Sequence, residues 1–277
     1  MSDTGAGSRG FEVGRVISGT FAVIGRNFIP FILLALLLGG LPKLLVALVQ
    51  PQFRNDGNAQ NVQNVQWDYS AQMYGGWIVG ALVMLVAGFV LQAAIVHATV
   101  SDLNGRRVVV GDSLKVGLRN CLPLIGLAIL LGLGVMIGFV LLIVPGVILL
   151  VMWSVAVPAK VVEKIGVMDA LSRSGDLTRG RRWPIFGLFL IYAVAAWILE
   201  VAIMAAFAPF ALSKGPPSSG TAMESFMHSL DIFQLIASPI VATITTLIST
   251  AGGAVLYSEL RGSREGNGPE ALASVFD

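Results

Sequence analysis

Two charged side chains lie inside long apolar stretches of this sequence, and their type and position could carry chemistry. Lys43 is about fifteen residues into one stretch, and Glu200 is about sixteen residues into another. A charge inside a bilayer is costly and usually finds a partner or a polar cavity. We therefore predict an intramembrane charged pair or one shared cavity for Lys43 and Glu200. The alternative is that Lys43 reaches the headgroups separately and Glu200 is protonated.

A second candidate site is a dense basic cluster, which consists of Arg173, Arg179, Arg181 and Arg182 followed by Trp183. Each basic residue near an anionic membrane surface contributes about 1 kcal/mol of attraction. Tryptophan is typical of the membrane interface. The cluster predicts contact with anionic lipid headgroups. The alternative is a general excess of positive charge on one side, without a selective site.

The remaining polar residues offer little for catalysis. His97 could relay a proton, because histidine titrates near neutral pH, but no acidic partner is close in sequence. Glu224 and His228 share a helix face with Asp231 nearby and could hold a divalent metal, although a surface amphipathic helix explains the same residues. No nucleophile elbow, nucleotide-binding motif or Cys/His metal cluster is present. We therefore expect no enzyme activity, no metal and no cofactor.

The composition indicates which kind of secondary structure must position these residues. Hydrophobic residues make up 55% of the chain and charged residues 12%, against about 25% charged in a soluble domain. Mean hydropathy is +0.80. The net charge is only +2, and Cys121 is the sole cysteine, so no intrachain disulfide can form. These values predict an all-α, polytopic membrane protein, and no cleavable signal peptide is visible.

Hydropathy predicts six membrane spans in one domain over residues 11–262, with a disordered tail at 1–10 and a flexible tail at 263–277. Each apolar run approaches the ~20 residues that a helix needs to cross a bilayer. Pro145-Gly146 is expected to form the turn of a tight hairpin between spans three and four. The predicted spans are Phe28–Val49, Trp77–Thr99, Pro123–Ile143, Val147–Val162, Pro184–Ala208 and Ile232–Tyr257.

The distribution of lysine and arginine predicts the orientation. Six crossings put the N-terminal segment, the loops after spans two and four, and the C-terminal tail on one side, and these segments hold nearly all the basic residues. The other side has only Arg54 and Lys214. Because basic loops stay in the cytoplasm, both termini are expected to be cytoplasmic.

The three odd-numbered spans share a similar entrance. In each, a mildly amphipathic stretch leads to arginine, and proline then opens the membrane helix, where its missing N–H costs nothing. The pattern predicts three repeated hairpin units, each with an interfacial helix and two spans. The alternative is that any six-span protein places arginine and proline there. The residues of this span-entrance motif are Arg26, Pro30, Arg119, Pro123 and Pro184.

Two stretches carry a resemblance to a known family. One combines Leu142–Gly146 (LIVPG) with the later motifs Ala170–Ser174 (ALSRS) and Leu177–Gly180 (LTRG); the other is Leu256–Arg261 (LYSELR). They resemble bacterial integral-membrane proteins of the glycerophosphoryl diester phosphodiesterase membrane-domain or YciC-like type. The resemblance implies a six-helix membrane bundle in a bacterial cytoplasmic (inner) membrane. It covers only the membrane part of that family, without its catalytic domain, and so implies no phosphodiesterase activity.

Two functional classes follow from these residues. The first is a non-enzymatic membrane module that binds lipids, with anionic headgroups on the cytoplasmic side, or a protein partner. The second is a small transporter or channel that uses Lys43 and Glu200, since interrupted helices in repeated units indicate transport sites. An enzyme acting on lipid is a weaker third possibility, and nothing indicates nucleic-acid binding.

Overall fold

The computed structural model describes residues 11–42, 66–212 and 238–265, and within these ranges the chain is all-α with no β-strand. Five helices are long and apolar enough to cross a membrane, and there are six if one bent pair counts as a single span. The predicted fold class, an all-α helical membrane bundle, is confirmed. Lys43, the metal-ligand candidates Glu224, His228 and Asp231, and most of both tails lie outside the described residues.

Apart from a π-helical turn at Leu36–Gly40, the described elements are α-helices. Short breaks separate some consecutive helices. One break is at Asn27, between α1 and α2, and another lies between α5 and α6. The helices are α1 Val13–Arg26, α2 Phe28–Ala35, α3 Gln66–Leu103, α4 Val110–Leu141, α5 Ile143–Met152, α6 Ala156–Glu163, α7 Val167–Thr178, α8 Arg182–Leu212 and α9 Ser238–Glu265.

Two short amphipathic helices, α1 and α7, pack across the longer ones. In α1 the buried residues Val16, Thr20 and Val23 recur at helical spacing, so one face of the helix is covered. A Cβ atom at Gly19 would lie 3.1 Å from the side chain of Val255 on α9, which shows how closely the two helices approach. At Asn27 the chain turns by 82° into α2.

Proline occupies the first turn of α2 and of α8, as the entrance motif predicts, but the second entrance differs. Pro30 and Pro184 are each the third residue of their helix. Pro123 instead lies in the interior of α4, which begins at Val110. At ~1.5 Å per residue α4 is about 48 Å long, more than the ~30 Å hydrocarbon core. The expected boundary at Pro123 is therefore corrected: the interfacial stretch and the span are one helix.

The hairpin between α4 and α5 turns at Leu142, not at Pro145-Gly146. Leu142 is extended, with φ −166° and ψ 152°, and α5 starts at the next residue. Pro145 lies in the first turn of α5, where a missing N–H is tolerated. The expected position of the turn is thus corrected by three residues. A proline can either form a turn or open a helix, and the apolar residues around Pro145 do not show which of the two it does.

Glycines allow the two arms of this hairpin to touch. A Cβ atom at Gly138 would lie 2.9 Å from the Cα atom of Gly146. A Cβ atom at Gly134 would lie 2.4 Å from the indole of Trp153. Any larger residue at these two positions would push the arms apart, which agrees with a role in helix packing for the glycines of this apolar span.

A break in the fourth span separates α5 from α6 and is capped from a neighbouring helix. Ser174 Oγ on α7 donates to the carbonyl of Met152 at 2.8 Å and accepts the N–H of Val155 at 3.2 Å. Thr178 Oγ1 reaches the same Met152 carbonyl at 3.2 Å. Ser174 and Thr178 are fully buried. These hydroxyls satisfy backbone groups that a buried helix break would otherwise leave unpaired.

The core is concentrated at one end of the bundle. There α3, α6 and α9 finish, α4 and α8 begin, and arginine and lysine are abundant; we call this the basic end. Buried residues such as Ile95, Leu127 and Leu256 fill it. Towards the other end the apolar side chains are mostly exposed, and Val140 and Ile143 at the hairpin turn are 76% and 72% exposed. An apolar surface of this kind suits contact with lipid.

Candidate functional site

At the basic end, the last turn of α3 is bound to the junction between α1 and α2. Arg26 Nη2 lies 2.6 Å from Asp102 Oδ2. Asn27 Nδ2 donates to Asp102 Oδ1 at 2.8 Å. The arginine of the first entrance motif is therefore held by an acidic residue where the second span ends, and only part of its charge faces outward.

The last two even-numbered spans end in the same way. Glu259 near the end of α9 is paired with Arg15 of α1, with Nε and Oε1 2.9 Å apart. Glu163, the last residue of α6, is paired with Arg173 of α7, also at 2.9 Å. Together with Asp102, these carboxylates form three acid–arginine pairs that tie the short helices to the ends of the spans. We call them the three exit pairs.

The pair at Glu163 extends into a larger cluster. The hydroxyl of Tyr257, whose side chain is buried, donates to Glu163 Oε1 at 2.7 Å. Arg173 also binds Glu265, and Arg261 Nε reaches the same carboxylate at 2.7 Å. These bonds, with Glu265 first and Glu163 second, hold the pKa of Arg173 above its ordinary value. The cluster joins α6, α7 and α9 through charge-assisted hydrogen bonds, which are stronger than neutral ones.

The basic residues predicted to contact lipid do not form one site. Arg173 belongs to the cluster just described. The carbonyl of Arg179 accepts a bond from Arg264 Nη2 at 2.5 Å. Arg181 lies over the ring of Phe11, with 6.0 Å between the guanidinium carbon and the ring centroid. Only Arg182 and Trp183 face an open, apolar space.

That space is a groove of about 480 Å³ between α5 and α8. Its walls are almost entirely aliphatic and aromatic. Trp183, 83% exposed, packs edge-to-face against Phe186 with ring centroids 6.3 Å apart. The groove thus joins an apolar channel to a guanidinium and an indole. It is lined by Ile143, Val144, Val147, Ile148, Val151, Arg182, Trp183 and Phe186.

A second cavity, of about 430 Å³, lies between α3, α4 and α6 at the basic end, and sequence reasoning missed it. Four of its lining residues are lysine or arginine, and no aspartate or glutamate lines it. The signal in the sequence is the set of cations after span two, which are interpreted above through orientation and, for Arg119, through the entrance motif. The cavity is lined by His97, Val100, Ser101, Asn104, Arg106, Val116, Arg119, Asn120, Pro123, Lys160, Val161, Val162 and Lys164.

The structure leaves the predicted intramembrane pair untested, since Lys43 is not described. Glu200 is exposed on α8 and lines neither of the two spaces above. His97 lines the second cavity, with its Nδ1 atom 3.3 Å from Ser113 Oγ. In the ranges that the structure covers, no three His, Cys, Asp or Glu side chains are grouped as metal ligands.

Comparison with known protein families gives one match. A family model described as "Domain of unknown function (DUF7847)" matches residues 60–260, well over half of the chain. The chain belongs to this family. No curated protein sequence and no solved structure matches it. The protein is thus a multi-pass membrane protein of an uncharacterised family, and its function must be argued from its own residues.

Proposed function

We propose that the chain is a non-enzymatic membrane module that binds an anionic lipid in the groove between α5 and α8. The lipid's acyl chain would lie along the aliphatic walls of Val147 and Val151. Its phosphate would meet the guanidinium of Arg182, and the indole of Trp183 would cover the junction between the two. The groove itself is the observation that supports this function most directly.

The chemistry of the groove suits a lipid better than a soluble ligand. Its walls are apolar and adjoin surface that faces the bilayer, so a chain of methylene groups would fill it without exposing polar atoms. No ion pair holds Arg182 within the described ranges, in contrast to Arg173. A guanidinium binds phosphate oxygens in a bidentate manner, which would distinguish a phospholipid from a neutral lipid.

Catalysis is not part of this proposal. The three carboxylates at the ends of the even-numbered spans are each bound to arginine. A carboxylate whose oxygens are engaged by an arginine in this way is less open to a substrate. The resemblance to glycerophosphoryl diester phosphodiesterase membrane domains concerns only their membrane part, so it does not suggest phosphodiesterase activity.

The proposal also includes topology. We place the protein in a bacterial cytoplasmic membrane with six crossings, in which the first span begins with α2 and α1 lies outside it as a short amphipathic helix. The basic end would face the cytoplasm, because loops rich in lysine and arginine are retained there. Fusion of a reporter after Asp277 should then report a cytoplasmic location, and a reporter inserted at Asn61 the opposite one. Both reporters in one compartment would contradict six crossings.

Native mass spectrometry of the purified protein tests whether a lipid is bound in the groove. The wild type should retain an anionic phospholipid through detergent exchange. Arg182→Gln should raise the Kd of that lipid about tenfold, which corresponds to about 1.4 kcal/mol, and so lower the fraction retained. Ile148→Trp, which fills the groove, should lower it as well. The matched control is Arg107→Gln, an exposed arginine at the basic end that lines neither space.

Two results would overturn the lipid proposal. One is a wild type that retains no lipid, and the other is equal retention by Arg182→Gln and the wild type. Solute flux through liposomes that disappears in Glu200→Gln would favour the transporter alternative instead. In that case lipid in the groove would not be the main function.

A further inference from the structure

Arg119 differs from the arginines of the three exit pairs in its surroundings. Arginines of the short helices α1 and α7 are bound to Glu259, Asp102 and Glu163. Arg119 lies at the corresponding second entrance, ahead of Pro123. Among the residues that the structure describes, no acidic side chain is paired with it. Arg119 instead lines the cavity between α3, α4 and α6.

This cavity collects positive charge without neutralising it. Arg106, Arg119, Lys160 and Lys164 line it together, and they come from three separate parts of the chain. Like charges that share a site repel one another, and solvent screens part of this repulsion because Arg106, Arg119 and Lys164 are exposed. A bound anion would be attracted by all four cations, and a doubly charged anion more than a singly charged one.

Several hydrogen-bonding groups of the lining, both charged and neutral, are already oriented by bonds within the protein. Lys160 Nζ donates to the carbonyl of Ile165, which fixes the ammonium and leaves two of its N–H groups. Asn120 Nδ2 donates to the carbonyl of Val116 at 2.8 Å, which uses one of its two amide hydrogens. The Nδ1 atom of His97 is within reach of Ser113, so Nε2 is the ring nitrogen that remains for a ligand.

We propose that the cavity binds a phosphate monoester dianion. A monoester carries about −1.5 to −2 charges at pH 7 and three strong acceptor oxygens, which suits several cationic donors around one small space. A phosphodiester carries a single charge and should bind more weakly. The phosphate could belong to a lipid headgroup or to a soluble molecule. The inference is independent of the lipid groove, since the two spaces share no residue.

The experiment separates these two sources. In one arm, thermal unfolding of the full chain is followed in neutral phosphatidylcholine nanodiscs with inorganic phosphate, and with chloride at the same ionic strength. In the other arm, the nanodiscs contain phosphatidic acid, a lipid phosphomonoester, or phosphatidylglycerol, a phosphodiester. Phosphate or phosphatidic acid should raise the melting temperature more than its matched control. The arm that responds identifies the source.

Variants decide whether the cavity is responsible. Arg119→Gln and, separately, Lys164→Gln should weaken the responding ligand at least tenfold, while Arg107→Gln should not change it. Two variants are used so that one poorly folded protein cannot decide the outcome. Arg182→Gln should retain the response, which separates this site from the groove. No response in either arm, or an undiminished response in both cavity variants, would overturn the proposal.

Discussion

Two sets of basic side chains at the same end of the bundle have opposite surroundings. In the three exit pairs, each arginine is within 2.9 Å of a carboxylate from another helix. In the cavity between α3, α4 and α6, four lysines and arginines line one space without an acidic side chain. The paired arginines join helices, whereas the cavity cations have no acidic side chain in their lining and are the residues proposed above to bind an anion.

Substitutions in the exit pairs should mainly change stability, whereas substitutions in the cavity should mainly change anion binding. Removing a member of an exit pair leaves its partner partly buried and uncompensated, which is costly. Removing Arg119, which has no acidic partner among the described residues, should cost the fold little, but it should weaken any anion that binds in the cavity. The same kind of substitution should therefore have opposite effects in the two regions.

The largest loss of stability is expected from Glu163→Gln. The substitution removes the charge that Arg173 and Tyr257 share, and the side chain of Glu163 is only 16% exposed. We expect the free energy of unfolding to fall by about 2–3 kcal/mol. SDS-driven unfolding in mixed micelles measures it, with Glu12→Gln as the control, since that side chain is 71% exposed. Equal unfolding curves for the two variants would contradict a structural role for the Glu163 cluster.

A somewhat smaller loss is expected from Ser174→Ala. The variant leaves the buried N–H of Val155 and the carbonyl of Met152 with fewer partners at the break between α5 and α6. We expect about 1–2 kcal/mol of destabilisation by the same measurement. Ser172→Ala, an exposed position on the same helix, is the matched control and should change the value little. A Ser174→Ala protein as stable as Ser172→Ala would show that the cap does not matter.

A smaller effect again should follow from Asp102→Asn. Arg26 is more exposed than Arg173, with 58% of its side chain accessible against 29%, so solvent screens its pairing with Asp102 more strongly. We expect about 1 kcal/mol. The double variant with Arg26→Gln should lose less than the sum of the two single variants, because both remove one interaction. Strict additivity would mean that the two residues act separately.

The smallest effect, and the opposite sign, is expected from Arg119→Gln. Without a bound anion the variant should be as stable as the wild type, or more stable by less than about 0.5 kcal/mol at low ionic strength. Added sodium chloride should remove the difference, because salt screens the repulsion that the variant relieves. A loss as large as that of Asp102→Asn would show that Arg119 is a structural residue like the paired arginines.

Sequence patterns predicted the membrane helices well, because hydropathy records directly which residues lie in lipid. The span predicted at Pro184–Ala208 lies inside α8, and the amphipathic stretches before spans one and five are the separate helices α1 and α7. The threefold repeat stays a prediction. Its second unit differs from the others, since α4 runs through Pro123 without a break.

The site was harder to predict because its partners are distant in the sequence. Four nearby arginines suggested one lipid contact, but Arg173 is bound to Glu265, which lies 92 residues away. Arg181 and Arg182 are neighbours in sequence, yet one lies over Phe11 and the other faces the groove. The cavity depends on how α3, α4 and α6 align, and no local pattern of residues contains that information.

The contact between α1 and α9 has a consequence for how the protein is made. Among the described helices, α1 is synthesised earliest and α9 latest, and the two pack together through Gly19 beside Val255 and Arg15 beside Glu259. Chains are synthesised at about 5–20 residues per second, so α1 must wait for many seconds before α9 exists. During this interval α1 can contact helices made earlier than α9, as Arg26 does with Asp102 of α3, and its contact with α9 can form only after these.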